Sequence, residues 1–155
     1  MLPVTSFLGI GSNLGDRVLN IKKALDYLRN TKGIYIFSQS NFYETLPEGG
    51  PKNQPRFLNA VIKIRTILNP FQLLERLKNI EASLKREKAL KWRPRTIDLD
   101  ILFYDDLVFA SKELTIPHHL LHKRYFVLKP LSEIAPEFIH PFLSKSIREL
   151  FKELN

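Results

Sequence analysis

Arg95-Thr96-Ile97-Asp98-Leu99-Asp100-Ile101-Leu102-Phe103 (RTIDLDILF, 95–103) alternates polar and apolar residues from Thr96 onward, which is the period of a half-buried strand. Residues two apart share a strand face. Ile97, Leu99 and Ile101 therefore turn into a core, while Asp98 and Asp100 project together from the other side, about 7 Å apart. Upstream, residues 57–66 form another strand, with Leu58, Ala60, Ile62 and Ile64 on one face and Phe57, Asn59, Val61, Lys63 and Arg65 on the other. Between the two, Asn69-Pro70 is a cap followed by a proline suited to the first helical position. Leu73 or Leu74, Leu77, Ile80 and Leu84 then supply a helical stripe. The basic run KREKALKWRPR interrupts that stripe, and Pro94 prevents its continuation.

Nearer the start, VTSFLGI (4–10) reads as a strand, and GSNLGD offers a turn with helix caps at Ser12 or Asn13 and Asp16 in the first turn. Val18, Ile21, Leu25 and Leu28 recur at helical spacing, and Gly33 marks the stop. IYIFSQSNFYE (34–44) is one β-rich run, followed by the proline- and glycine-rich loop 46–55. The order β-α-β-β-α-β is the split βαβ pattern. It predicts an α/β (α+β) fold of ferredoxin-like type, a mostly antiparallel sheet flanked by helices. Beyond Asp105 we expect a short strand pair near 107–115, a helix after Lys123 and a terminal helix near 146–153.

The 155 residues suit a single domain over 1–155, and their composition is that of a folded soluble protein. No apolar run approaches the roughly 20 residues of a membrane helix. The first residues do not read as a signal peptide, and the absence of cysteine excludes disulfides and thiolate metal sites. We therefore expect a cytoplasmic protein without membrane partners. The net charge is +8, and residues 76–95 hold eight basic and two acidic side chains. Such a concentration calls for an anionic partner, either nucleic acid or a polyphosphate.

Asp98 and Asp100 repel each other, and a cation relieves that repulsion. Oxygen-only ligands suit Mg²⁺ held between carboxylates, water and substrate phosphates. A bare D-x-D on an edge strand is also how a solvated polar face reads, with Arg95 as counter-ion; the cationic loop upstream favours the polyphosphate site. In that loop Lys85, Arg86, Lys88, Lys91, Arg93 and Arg95 surround Trp92, the sole tryptophan. The run fits a solvated face, a nucleic-acid surface with a stacking aromatic, or a lid over a nucleoside triphosphate. His118, His119 and His122 suggest zinc only superficially, because no third ligand stands at the right spacing. His118 as a phosphate hydrogen-bonder or a capped surface histidine is the better reading. The glycine pattern at Gly9 and Gly11 lacks its third glycine, where Leu14 stands, and no Walker A loop occurs.

Taken together, G-x-G-S-N-L-G at 9–15, F-Y-x-T at 42–45, Q-P-x-F-L-N-A at 54–60, W-x-P-R-T-x-D-L-D-I at 92–101, and Pro117-His118 with Arg124 and Phe126 resemble the 6-hydroxymethyl-7,8-dihydropterin pyrophosphokinases of folate biosynthesis. The resemblance runs in order over about residues 4–140. It implies Mg²⁺-dependent transfer of pyrophosphate from ATP to the hydroxymethyl oxygen of the pterin, with release of AMP. Asp98 and Asp100 would hold two Mg²⁺ ions. Arg86 and Arg95 would act on the phosphates, with Lys88 beside them, and Trp92 would close over the pterin. Asn59 would bond the pterin edge, Phe57 and Phe126 would sandwich the ring, and Thr45 and Leu46 would contact it through backbone groups. Glu81, Ile101, Thr115, His118, His119 and Arg124 match nucleotide-side positions. Arg93 stands where the family usually has glycine, His119 where tyrosine is common, and the stretch 81–92 is one residue short. A monomer acting on small molecules, with no nucleic acid, is expected. A ferredoxin-like RNA-binding module is the alternative, which would call for paired aromatics on the central strands.

Overall fold

The structure, a computed structural model, describes residues 2–46, 56–87 and 97–154, without the side chains of residues 86 and 87. The chain runs β1 (Val4–Ser12), α1 (Arg17–Arg29), β2 (Ile34–Gln39), β3 (Tyr43–Thr45), β4 (Phe57–Thr66), α2 (Pro70–Glu87), β5 (Asp98–Tyr104), β6 (Phe109–Ala110), β7 (Thr115–Ile116), α3 (Tyr125–Ile134) and α4 (Ile147–Leu154). The main sheet has the order β2-β4-β1-β5, every neighbouring pair antiparallel, with β3 added alongside β4. This is the ferredoxin-like order expected from the βαββαβ pattern. The strand pair near 107–115 is β6 with β7, and both C-terminal helices form where expected.

Two hydrophobic layers hold the sheet. On one face, α1 and α2 bury Ile21, Leu25, Leu28, Leu73, Leu77, Ile80 and Leu84 against the strands, joined by Ile97, Leu99 and Ile101 of the opening motif. On the other face, Phe7, Val61, Leu102 and Phe103 pack under α3 and α4. One strand supplies both layers because its alternation breaks. The β1–β5 register shifts between Phe7 and Leu8, which pair with Phe103 and Ile101, so Leu102 is an extra residue on β5. A bulge of this kind twists a strand and re-aims its side chains. Asp98 and Asp100 lie before it, and Phe103, after it, is carried to the outer layer.

Local readings needed three corrections. The cap of α1 is Asp16, whose carboxylate accepts the Leu19 amide at 3.0 Å, not Ser12 or Asn13. β1 consequently extends to Ser12, and Val18 falls on the exposed side of α1 while Asn20, Ile21, Ala24, Leu25 and Leu28 are buried. The run 34–44 is two strands, not one. Ser40 is buried at the break, its hydroxyl accepts the Val61 amide at 2.9 Å, and the Asn41 amide turns to the Glu133 carboxylate on α3. α2 starts as read: Asn69 accepts the Gln72 amide and Gln72 accepts the Asn69 amide, both at 2.9 Å.

Candidate functional site

The outer face of the sheet is left open at one end, beyond α3. Three strands meet there in register. Gly11 of β1 pairs with Asn59 of β4 on one side and Asp98 of β5 on the other; Gly9 pairs with Val61 and Asp100. A row Asn59–Gly11–Asp98 therefore crosses the sheet with no side chain at its centre. A cavity of about 250 Å³ occupies this ground. Its walls include Thr45, Leu46, Phe57, Asn59, Asp98, Asp100, His118, Arg124 and Phe126. Every one of these was named from sequence.

The gap at Gly11 is required by packing. A Cβ there would lie 2.8 Å from the Asn59 Oδ1, closer than unstrained atoms approach. Asn59 itself is almost fully buried. Its Nδ2 donates to the Thr45 hydroxyl at 2.7 Å, which fixes the amide plane. Thr45 thus acts through its side chain on Asn59, beyond the backbone contact foreseen for it. Next to Thr45 in sequence, Glu44 accepts from Arg17, which also donates to the Arg56 carbonyl, both at 2.8 Å, tying α1 to β3 and to the residue before β4. Tyr43 donates to Glu133 of α3, and this bond pushes the Tyr43 phenol above its ordinary range.

The same wall also carries His118, whose amide donates to the Leu102 carbonyl of β5 at 3.0 Å, and Arg124. The Arg124 guanidinium lies 5.3 Å from the centre of the Phe126 ring, a cation–π distance. His118 Nδ1 accepts the Leu120 amide at 3.3 Å, leaving the ring proton on Nε2. Burial first, then the positive charges of Arg124 and His119, lower the His118 pKa to about 4. The ring is neutral at pH 7 and presents an N–H donor. His140, on the turn before α4 and in the wall of a neighbouring cavity, is held in the same way. Its Nδ1 accepts the Phe142 and Leu143 amides at 3.2 and 3.0 Å, and burial lowers its pKa to about 4.

Both histidines have folded-state values below the ordinary 6.5. Between pH 6.5 and 4 the unfolded chain therefore binds protons that the folded chain refuses, and stability falls as pH falls through that window. Each ring contributes to that fall, reduced by the solvent screening of its partly exposed edge. NMR titration of the imidazole protons should give midpoints near 4 for His118 and His140. A midpoint near 6.5 for either ring would overturn this account.

The other named residues fall elsewhere. Thr115 and His119 line a neighbouring apolar cavity that shares His118 as its wall. His118 and His119 stack with ring centres 5.0 Å apart. Among the described residues no group of three potential ligands gathers around a metal position. Ile101 is buried in the helix-side core. Glu81 on α2 accepts the Leu99 amide at 2.7 Å. Lys88, Trp92 and Arg95, and the side chain of Arg86, lie outside the described residues. Sequence reading marked Gly11 only as part of the G-x-G-S-N-L-G motif and did not foresee its contact with Asn59, which depends on a partner distant in the chain; it did not single out His140.

In chemical terms the cavity offers a fixed amide and two aromatic rings, two carboxylates on one strand, and a guanidinium with an imidazole N–H. The first set suits a flat heterocycle with an amide edge. The second is an all-oxygen donor pair, Asp98 and Asp100, whose strand partners Gly11 and Gly9 bring no side chain beside them; such hard donors fit a divalent cation. The third suits phosphate oxygens.

Comparison with known proteins gives concordant matches. The family model described as 7,8-dihydro-6-hydroxymethylpterin-pyrophosphokinase (HPPK) matches residues 7–136. A 2-amino-4-hydroxy-6-hydroxymethyldihydropteridine pyrophosphokinase of Aquifex aeolicus is 43% identical over 149 residues, covering 96% of this chain and 91% of the relative. That of Haemophilus influenzae is 39% identical over 150 residues, covering 97% and 92%. The chain spans only 20% of the folic acid synthesis protein fol1 of Schizosaccharomyces pombe, at 42% identity over 96% of this chain, and 42% of the Lactococcus lactis bifunctional protein FolKE, at 43% identity over 94% of this chain. Among solved structures, a Plasmodium falciparum HPPK-DHPS superposes with a TM-score of 0.79 at 19% identity, over 97% of this chain and 45% of that one, a likeness of fold.

Proposed function

This chain belongs to the 7,8-dihydro-6-hydroxymethylpterin-pyrophosphokinase family, and on that premise we propose that it transfers the pyrophosphoryl group of ATP to the hydroxymethyl oxygen of 6-hydroxymethyl-7,8-dihydropterin in folate biosynthesis. The observation that carries the proposal at this site is the row Asn59–Gly11–Asp98, which sets a heterocycle-reading amide beside a carboxylate pair across an empty glycine. In the reaction, the pterin hydroxyl oxygen bonds to the β-phosphorus, the bond from that phosphorus to the αβ-bridging oxygen breaks, and AMP leaves with the electron pair. The hydroxyl proton is lost to solvent.

Asn59, fixed by Thr45, reads the pterin edge; Phe57 and Phe126 hold its faces. Asp98 and Asp100 would hold Mg²⁺, two ions by the family resemblance, and the metal when bound neutralises phosphate charge. Arg124 and the Nε2–H of His118 bond phosphate oxygens. His118 suits this task because its Nδ1 is already taken by the Leu120 amide, which leaves Nε2–H as a donor of fixed orientation. No covalent enzyme intermediate is required, and the protein's contribution is alignment and charge complementarity. From the sequence, Arg86, Arg95 and Lys88 add positive charge to the phosphates and Trp92 covers the pterin.

The RNA-binding alternative loses its basis to the family membership. In addition, Phe7, Val61 and Phe103, on the sheet face that such a module would offer, are packed beneath α3 and α4.

The direct test is AMP release from ATP, Mg²⁺ and the hydroxymethyldihydropterin; no AMP above background overturns the proposal. A finer prediction concerns Gly11. Gly11→Ala should displace Asn59 and weaken pterin binding by about 1–3 kcal/mol, while ATP binding changes less. Calorimetry showing equal weakening of both ligands would remove Asn59 from the pterin site.

A further inference from the structure

We infer that Glu81 is a positioning residue that fixes the backbone between Asp98 and Asp100, an inference that rests on the pyrophosphokinase reading and deepens it. β5 ends the strand order β2-β4-β1-β5, so only one of its edges is paired within that sheet. At the level of the carboxylates the other edge faces α2, and there the Glu81 Oε2 accepts the Leu99 N–H at 2.7 Å. That N–H belongs to the peptide joining Asp98 to Leu99. A bond from an amide to an ionised carboxylate is shorter and stronger than one between neutral groups.

Leu99 is thereby held on three sides. Its side chain is buried in the helix-side core. Its flanking residues Asp98 and Asp100 pair with Gly11 and Gly9. Its amide is taken by Glu81. Two carboxylates that must share a cation need a fixed separation, and the peptide between them is what sets it. Glycines on the β1 side supply no side-chain packing to do this, which leaves the open edge as the place where the strand can be braced. The chemistry of Glu81 also argues against a direct phosphate contact, because an ionised carboxylate accepts hydrogen bonds and cannot donate one to a phosphate oxygen. Supporting groups behind metal ligands typically change metal affinity by 10- to 100-fold when removed.

The test compares Glu81→Ala, which deletes the acceptor, with Glu81→Gln, which keeps an acceptor oxygen at the same reach. In the ligand-free protein, hydrogen exchange at the Leu99 amide should accelerate at least about tenfold in Glu81→Ala and largely recover in Glu81→Gln. In the active protein, the Mg²⁺ concentration for half-maximal AMP release should rise about tenfold or more in Glu81→Ala and mostly recover in Glu81→Gln, with pterin affinity unchanged. Unchanged exchange at Leu99 in Glu81→Ala overturns the inference. So does a rise in the ATP KM at an unchanged Mg²⁺ requirement, which would mark a direct nucleotide contact. Equal Mg²⁺ defects in both variants also overturn it, since the charge rather than the bond would then be acting. Should Glu81→Ala fail to fold, Glu81→Leu fills the volume without an acceptor and takes its place. The exchange measurement remains readable even if wild-type protein releases no AMP, so failure of the inference and failure of the functional reading are separable.

Discussion

Alanine in place of Asp98 or Asp100 should reduce turnover at least about 10³-fold, roughly 4 kcal/mol of barrier, and leave the fold standing. Neither side chain belongs to the two hydrophobic layers. Both stand on the open stretch of β5 before the bulge, across from glycines. Removing one carboxylate takes away half of the oxygen pair that would hold Mg²⁺ against the phosphates, and the remaining wall groups, Arg124 and His118, cannot replace an anionic ligand. AMP release at saturating Mg²⁺ is the measurement, with thermal unfolding as the control. Near-wild-type turnover in either variant would refute the metal assignment. A collapse of stability without a separate effect on turnover would instead make the pair structural.

The largest effect on stability should come from Phe103→Ala. Phe103 has no solvent exposure. Its ring meets Phe138 at 4.7 Å, His140 at 5.4 Å and Phe7 at 6.2 Å between centres. It therefore joins β5, β1 and the turn that leads into α4. Truncation leaves a cavity among aromatic neighbours too rigid to close it, with an expected loss of about 3–5 kcal/mol. Denaturant unfolding at neutral pH measures this directly, and a loss below about 1 kcal/mol would mean that the outer layer repacks freely. Activity should decline along with stability, because the same residue anchors β5 immediately after the bulge that follows the carboxylates.

Periodicity was sufficient where one face of an element is buried and the other is not. β4 and the start of β5 show this most clearly: Leu58, Ala60, Ile62 and Ile64 on one side and Asn59 on the other follow from alternation alone, as do Leu99 and Ile101 against Asp98 and Asp100. Alternation stopped being informative at Leu102, where the extra residue depends on how β5 pairs with β1. The division of 34–44 into β2 and β3 was likewise hidden. Both halves are good strand formers, and the break is enforced by bonds to Val61 and to Glu133 on α3. The placement of Val18 failed because it stands in the first turn of α1 at the edge of the face that Asn20, Ile21, Ala24, Leu25 and Leu28 bury. The wall of the cavity was legible through family-like motifs and strand faces together. The glycine at its centre was not, because its importance is a distance to Asn59 that exists only once β1 and β4 are paired.

The position of β1 between β4 and β5 also governs when the protein can first become functional during its synthesis. The Ser6 hydroxyl donates to the Phe103 carbonyl, a partner 97 positions later in the chain, and the same strand pairing brings Gly11 to Asp98. A chain emerging from the ribosome can form β1, β2, β4 and their two helices while one edge of β1 still lacks its neighbour. Such an intermediate exposes an unpaired strand edge, a surface prone to wrong association. It also lacks the carboxylates, Arg124 and Phe126, so a ligand that binds through those groups, as proposed for nucleotide and pterin, could not stabilise it. Under the proposed function, ligand binding can therefore stabilise only chains in which β5 and the residues through Phe126 have already joined the fold.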